Sequence, residues 1–201
     1  MVRVLRPALL SLIVLIAPQT SGAAFLSYTA TLNGANESPA NASTGLGTAL
    51  VDIDTVAITM RVQVTFSGLL GTTTNAHIHA ATAIPGTGTA GVATTTPTFA
   101  NFPLGVTAGT YDVTLNMLLA SSYNPAYVTA NGGTTASAEA ALFGSIAAGT
   151  SYLNIHTTVF PGGEIRGFLV PAQSVPEPSS LALVGSGIFG LLAFARLRSR
   201  A

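Results

Sequence analysis

Cysteine, lysine and tryptophan are all missing from the 201 residues, and charged residues make up only 7% of them, against about 25% in an ordinary soluble domain. Without cysteine there can be no disulfide, no thiol nucleophile and no zinc–thiolate site. Without lysine, seven arginines are the only fixed cations. Five of these lie at the ends, at Arg3, Arg6, Arg196, Arg198 and Arg200. Between the ends, Arg61 and Arg166 face six carboxylates, a formal charge of −4. Nucleic-acid binding is therefore excluded, because it requires clustered cations. What is present in quantity is apolar, at 48%, with much threonine, alanine and glycine around it. Disordered chains combine low hydrophobicity with high net charge; this chain has the opposite composition, that of a β-rich globular protein.

The two ends differ from the middle. Residues 1–24 carry two arginines, an apolar run from Ala8 to Ala17, and small residues at Gly22, Ala23 and Ala24. That is the layout of a secretory signal peptide cleaved after Ala23 or Ala24. Residues 172–201 contain Pro176-Glu177-Pro178, an apolar stretch and a tail with Arg196, Arg198 and Arg200. The stretch at about 179–195 is just long enough to approach a membrane crossing, and the arginines would hold that end cytoplasmic. Both ends are thus expected to form hydrophobic helices. The three-part C-terminus resembles the PEP-CTERM sorting signal of Gram-negative bacteria. The resemblance implies an exosortase as partner, a transient inner-membrane anchor through 179–195, loss of the tail, and delivery to the cell surface or extracellular matrix.

The segment 25–171 has the length of one domain. In "FLSYTATLNG", Leu26, Tyr28, Ala30 and Leu32 alternate with polar residues, the period of a half-buried strand. "TALVDIDTVAITMRVQVTFSGL" reads as two strands joined near Asp54-Thr55, the second with Met60, Val62, Val64 and Phe66 on one face. "NAHIHAA", "GTYDVTLNM", "TSYLNIHTTVF" and "GEIRGFLV" are further strands. Between them, Asn124 before Pro125, and Thr134 before an alanine-rich run with Leu142 and Ile146 four apart, predict one or two short helices over about 123–148. The Thr-, Gly- and Pro-rich 81–110 segment is expected to be a long, exposed loop. Asp52 and Asp54 read as solvated turn residues, since calcium sites need more carboxylates.

Taken in order, "LNGANESPANASTGLGTALV", "FSGL", "AHIHAATAIPGTGTAGV" and "LFGSIAAGTSYLNIHTTVFPGGEIRGFL" resemble the CHRD domain over essentially all of 25–171. His77-Ile78-His79 and the Tyr152–Gly167 block carry most of the resemblance. It implies a mainly β, immunoglobulin-like antiparallel Greek-key β-sandwich and an extracellular, non-enzymatic role. Chordin, where these domains were first described, binds growth factors; that role does not transfer to a single domain.

All three histidines fall in those two blocks. Residues two apart on a strand share a face, so His77 and His79 point the same way, as do Asn154 and His156, and as do Glu164 and Arg166. Two readings of this group stay open. In one, His77, His79, His156 and Glu164 hold zinc or copper, ions suited to imidazole and carboxylate ligands. In the other, no cofactor is involved: the histidines join Asn154, Thr157, Glu164 and Arg166 in a polar cluster that fixes strand register, since buried polar groups must be paired. Pro161-Gly162-Gly163 is then the turn between the last two strands. No serine stands in a nucleophile elbow, and no spacing suggests a carboxylate pair, so no catalytic residue is assigned. The function read from the chain is that of a surface or matrix component that binds an exopolysaccharide or protein ligand, with a metal-binding extracellular domain as the alternative.

Overall fold

The computed structural model describes residues 25–172. The expected signal peptide (1–24), the expected membrane helix (179–195) and the sorting residues Pro176, Glu177, Pro178, Arg196, Arg198 and Arg200 lie outside the described residues. Among the described residues, no helix is long and apolar enough to cross a membrane.

Eight strands follow from the alternation. They are β1 (Phe25–Asn33), β2 (Leu46–Asp54), β3 (Thr59–Ser67), β4 (Thr73–His79), β5 (Gly109–Asn116), β6 (Tyr152–Thr157), β7 (Ile165–Phe168) and β8 (Val170–Pro171). Two helices, α1 (Pro125–Ala130) and α2 (Thr135–Ala147), stand where the capping residues predict them. The Asn124 side chain accepts from the Ala126 N–H, and Thr134 and Ser137 form a reciprocal capping box, satisfying N–H groups that the first helical turn leaves unpaired. Ala138, Leu142, Ser145 and Ile146 make the buried stripe of α2.

The strands form one antiparallel sheet, in the order β4-β6-β7-β1-β2-β3-β5, with β8 on β1. The mainly β, antiparallel character is as expected; the Greek-key sandwich implied by the resemblance is not confirmed, the form being a curled sheet, a half-barrel. The cause lies in β1. Its long edge serves two partners, pairing with Arg166 of β7 at Asn33 and with β8 at Tyr28 and Thr29, so the hydrogen-bond path never breaks into two layers. Backbone bonds from Thr73 N–H to the Val106 carbonyl, 2.8 Å, and from Gly105 N–H to the Thr73 carbonyl, 2.8 Å, then draw the edge strand β4 towards the segment that enters β5.

The concave side holds the core. Leu32, Val51, Ile53, Met60, Val62, Ile78, Leu153, Ile155 and Ile165 are fully buried there. The segment after β4 does not behave as the exposed loop that its composition suggests. Residues 83–89 are exposed, but Ala93, Thr94, Phe99 and Phe102 are buried. Phe102 stacks on Phe66 with centroids 5.6 Å apart, and Phe99 on Tyr111, also 5.6 Å. Three apolar side chains, Ala93, Phe99 and Phe102, in a threonine-rich context are enough to pull the segment in.

Gly167 marks the tightest approach in the sheet. A Cβ there would strike the Thr31 carbonyl oxygen, and backbone cannot swing aside as a flexible side chain can. Gly167→Ala should therefore destabilise the domain by about 2–3 kcal/mol, read as a lower urea midpoint with an unchanged slope. An unchanged midpoint would show that β7 and β1 do not pack this closely.

Candidate metal centre

Strands β4 and β6 pair with Asn75 opposite His156, His77 opposite Asn154 and His79 opposite Tyr152. Residues opposite one another in an antiparallel pair share a face. Ala76, Ile78, Leu153 and Ile155 thus line the core, while the histidines, Asn154 and Tyr152 face the other side. On β7, Arg166 lies opposite Asn154 and Phe168 opposite Tyr152, extending that second face. It is not solvated: His77, His79, Tyr152, Asn154, His156 and Arg166 are all buried. The covering chain includes Ala90 and Pro97 after β4 and Pro161 after β6.

Those three residues each supply a carbonyl to one ring. His77 Nε2 lies 2.6 Å from the Pro97 oxygen, His79 Nδ1 lies 2.9 Å from that of Ala90, and His156 Nδ1 lies 2.9 Å from that of Pro161. A carbonyl only accepts, so each of these nitrogens carries the hydrogen. In a neutral imidazole the other nitrogen is then a bare lone pair. His77 Nδ1, His79 Nε2 and His156 Nε2 are buried without a partner. One potential ligand atom from each ring lies within 4.8 Å of the other two, and the ring centroids are 5.3, 5.7 and 5.8 Å apart. Nitrogens at about 2.0–2.1 Å from a tetrahedral zinc stand roughly 3.3 Å from one another, a modest rotation of the rings away.

Burial holds all three rings neutral. It pushes His79 down to about 4 against the upward pull of the Ala90 carbonyl, with His156, His77 and Arg166 adding to the fall. Burial likewise lowers His77 and His156, opposed by Pro97 and Pro161. At neutral pH no proton competes for the lone pairs. Rings oriented by a second hydrogen bond are the usual support of metal-binding histidines.

Beside the trio stands a stack. Tyr152 lies 4.8 Å from His79, almost parallel to it at 7°, and the Arg166 guanidinium sits 4.7 Å over the Tyr152 ring. Arg166 Nε donates to the Asn36 carbonyl at 2.5 Å, and Nη1 to that of Gly88 at 3.1 Å. Its ionic partner is Glu37, with Nε and Oε2 3.7 Å apart and both side chains buried. Burial pushes the Glu37 carboxyl up to about 7, with Arg166 and the Ser38 N–H pulling it back.

Glu164 stands apart from the histidines. The cluster of metal-capable side chains among the described residues is the histidine trio, without a carboxylate. Glu164 Oε1 accepts from Ser43 Oγ at 2.6 Å and the Leu70 N–H at 2.5 Å; Oε2 accepts from Thr157 Oγ1 at 2.6 Å and the Gly71 N–H at 3.1 Å. Burial raises this carboxyl, but the four donors together hold it below its ordinary value. The shared face expected for Glu164 and Arg166 is not what the structure shows. Glu164 precedes the first residue of β7 and follows Gly163, whose φ is +134°. The alternation breaks there, sending Glu164 to Thr157 and Arg166 to Tyr152.

Glu37 and Tyr152 escape the sequence reading of the site. Tyr152 was legible from its spacing, two before Asn154 and four before His156 on one strand. Glu37 had no local signal, since only tertiary packing brings it to Arg166.

The fold and site define a β-domain with a buried three-histidine cluster on its covered face. The CHRD domain family model matches residues 28–169, and the PEP-CTERM protein-sorting motif matches 174–199. The chain belongs to the CHRD domain family. Its sorting motif marks it as an exported protein that an exosortase processes and that is directed to the cell surface. No curated protein and no solved structure matches it.

Proposed function

We propose that this CHRD protein is an extracellular, non-enzymatic metal-binding domain that holds one zinc or copper ion on His77, His79 and His156. The observation that carries the reading is the set of three buried ring nitrogens with no hydrogen-bond partner, each on a ring fixed by a backbone carbonyl. A purely structural histidine network would use both nitrogens of each ring, because an unpaired buried polar atom costs about 1–3 kcal/mol. An all-imidazole donor set suits zinc and copper rather than calcium or magnesium. The domain would act at the surface or in the matrix of a Gram-negative bacterium, after transient anchoring in the inner membrane through 179–195.

A second reading, a matrix component with a polysaccharide or protein ligand, draws support from another face. Thr31, Thr48, Thr65 and Thr110 lie opposite one another across four strands, and all four are exposed.

Metal analysis of the purified protein after loading with Zn2+ or Cu2+ and desalting tests the first reading. One ion per chain is expected, with affinity falling about a hundredfold or more in His79→Ala. A metal-free protein, or a stoichiometry unaffected by His79→Ala, would overturn it.

A further inference from the structure

Six buried side-chain N or O atoms among the described residues have no hydrogen-bond partner, and five of them belong to one neighbourhood. Three are the histidine nitrogens; the others are Asn154 Oδ1 and Glu37 Oε1, the sixth being the distant Tyr111 hydroxyl. Asn154 borders the trio directly. It lies opposite His77 in the β4–β6 ladder and two residues from His156 on its own strand. Glu37 reaches the same place from the chain after β1. A Cβ added to Gly163 would come 2.5 Å from Asn154 Nδ2, 2.7 Å from Asn154 Oδ1 and 2.8 Å from Glu37 Oε1, so the Asn154 amide and the Glu37 carboxylate converge beside this glycine.

Every one of the five atoms is a lone-pair acceptor when Glu37 is ionised, and none of them can satisfy another. A bare metal ion would answer the three nitrogens and leave both oxygens unpaired. An ion carrying one water answers all five: three nitrogens bind the metal, the water oxygen takes the fourth position, and its two hydrogens go to Glu37 and Asn154. We infer that the centre is an open one whose fourth ligand is a water molecule held by Glu37 Oε1 and Asn154 Oδ1. This rests on the metal reading above. Three protein ligands with an exchangeable fourth distinguish open sites from closed structural ones. Glu37 and Arg166 also line a polar cavity of about 530 Å3 with Ser38, Gly86 and Thr87.

The two oxygens would also set which ligands can replace the water. A neutral or protonated donor is welcome. An anion such as azide has no hydrogen to give and meets a carboxylate and an amide oxygen, so it is disfavoured. Removing the Glu37 charge reverses this and leaves Arg166 without its anionic partner.

The test uses the full chain at pH 8. In the Cu2+-loaded protein, 17O-enriched water should broaden the electron paramagnetic resonance lines. In the Co2+-loaded protein, azide followed by visible absorption should bind about tenfold or more tightly to Glu37→Gln than to the wild type, the size expected for loss of one nearby charge in a partly shielded site. Asn154→Asp, which adds a negative charge in place of an amide, should weaken azide binding. Bound metal with no 17O broadening, or azide affinities equal within twofold across the three proteins, would overturn the aqua ligand and leave the histidine site standing. A wild type that binds neither Cu2+ nor Co2+ would overturn both. The 17O measurement needs no variant, so poor folding of a substituted protein does not protect the idea.

Discussion

Glu164→Ala should lower the stability of the domain by about 4 kcal/mol, the largest effect expected from any single side chain described above. Hydrogen bonds to a charged group contribute about 1.5–3 kcal/mol each, and stranding a buried donor costs about 1–3 kcal/mol. Glu164 accepts four. The Ser43 and Thr157 hydroxyls can turn to other acceptors, but the Leu70 and Gly71 N–H groups are fixed in the β3–β4 connection. Gly71 has no room to adjust, since even a Cβ on it would meet Thr157 Oγ1 at 2.6 Å. One carboxylate thus ties together the chain before β2, the β3–β4 connection and the end of β6. Against a total of 5–15 kcal/mol for a typical domain, this loss should appear as a drop of about 10–15 °C in melting temperature. Glu164→Gln, which keeps one acceptor oxygen, should fall between the alanine variant and the wild type. A drop below about 2 °C for Glu164→Ala would mean that these four donors find other partners, and the role assigned to Glu164 would be wrong.

The same residue shows how far the sequence could be read. "PGGEIRG" made Glu164 and Arg166 look alike, two charges spaced for one strand face. Period-two reasoning works inside a strand, and the faces it gave to Tyr28, Leu32, Val62 and Phe66 are the ones the core buries. It fails at the first residue outside one, and a glycine at positive φ is where such an end comes. The convergence of His77 and His79 was local and therefore legible. Their meeting with His156 depends on β4 pairing with β6, 73 residues and two helices later along the chain, and the pairing of β1 with both β7 and β8 is equally non-local. Nothing in composition encodes those choices; they follow from which hydrophobic faces can be buried together. The carbonyls of Ala90, Pro97 and Pro161, which decide the histidine tautomers, were invisible for a simpler reason: every residue has a carbonyl, and only the path of the backbone aims one.

Acidifying the metal-free protein from pH 6.5 to pH 4 should destabilise it by several kcal/mol, and bound metal should oppose the change. His79 is lowered from 6.5 to about 4 in the folded state. The unfolded chain therefore binds more protons than the folded one throughout that window, and stability falls with falling pH. A shift of this size corresponds to about 3 kcal/mol, and His77 and His156 act in the same direction. Glu37 works against them. Its carboxyl is raised from 4.5 to about 7, so its contribution is complete below pH 4.5 and is lost as pH climbs towards 7. Three rings outweigh one carboxyl, and the sum is a loss on acidification. Two substitutions separate the contributions. His79→Leu removes the largest histidine share and should flatten the dependence of melting temperature on pH between 4.5 and 6.5. Glu37→Gln removes the opposing carboxyl and should steepen it. With Zn2+ present, the metal occupies the lone pairs that protons would take, so the gain in melting temperature should be large at pH 7.5 and should shrink as protons win the rings below pH 5. A metal-induced gain that is the same at pH 7.5 and at pH 4 would show that the ion binds somewhere other than on these three imidazoles.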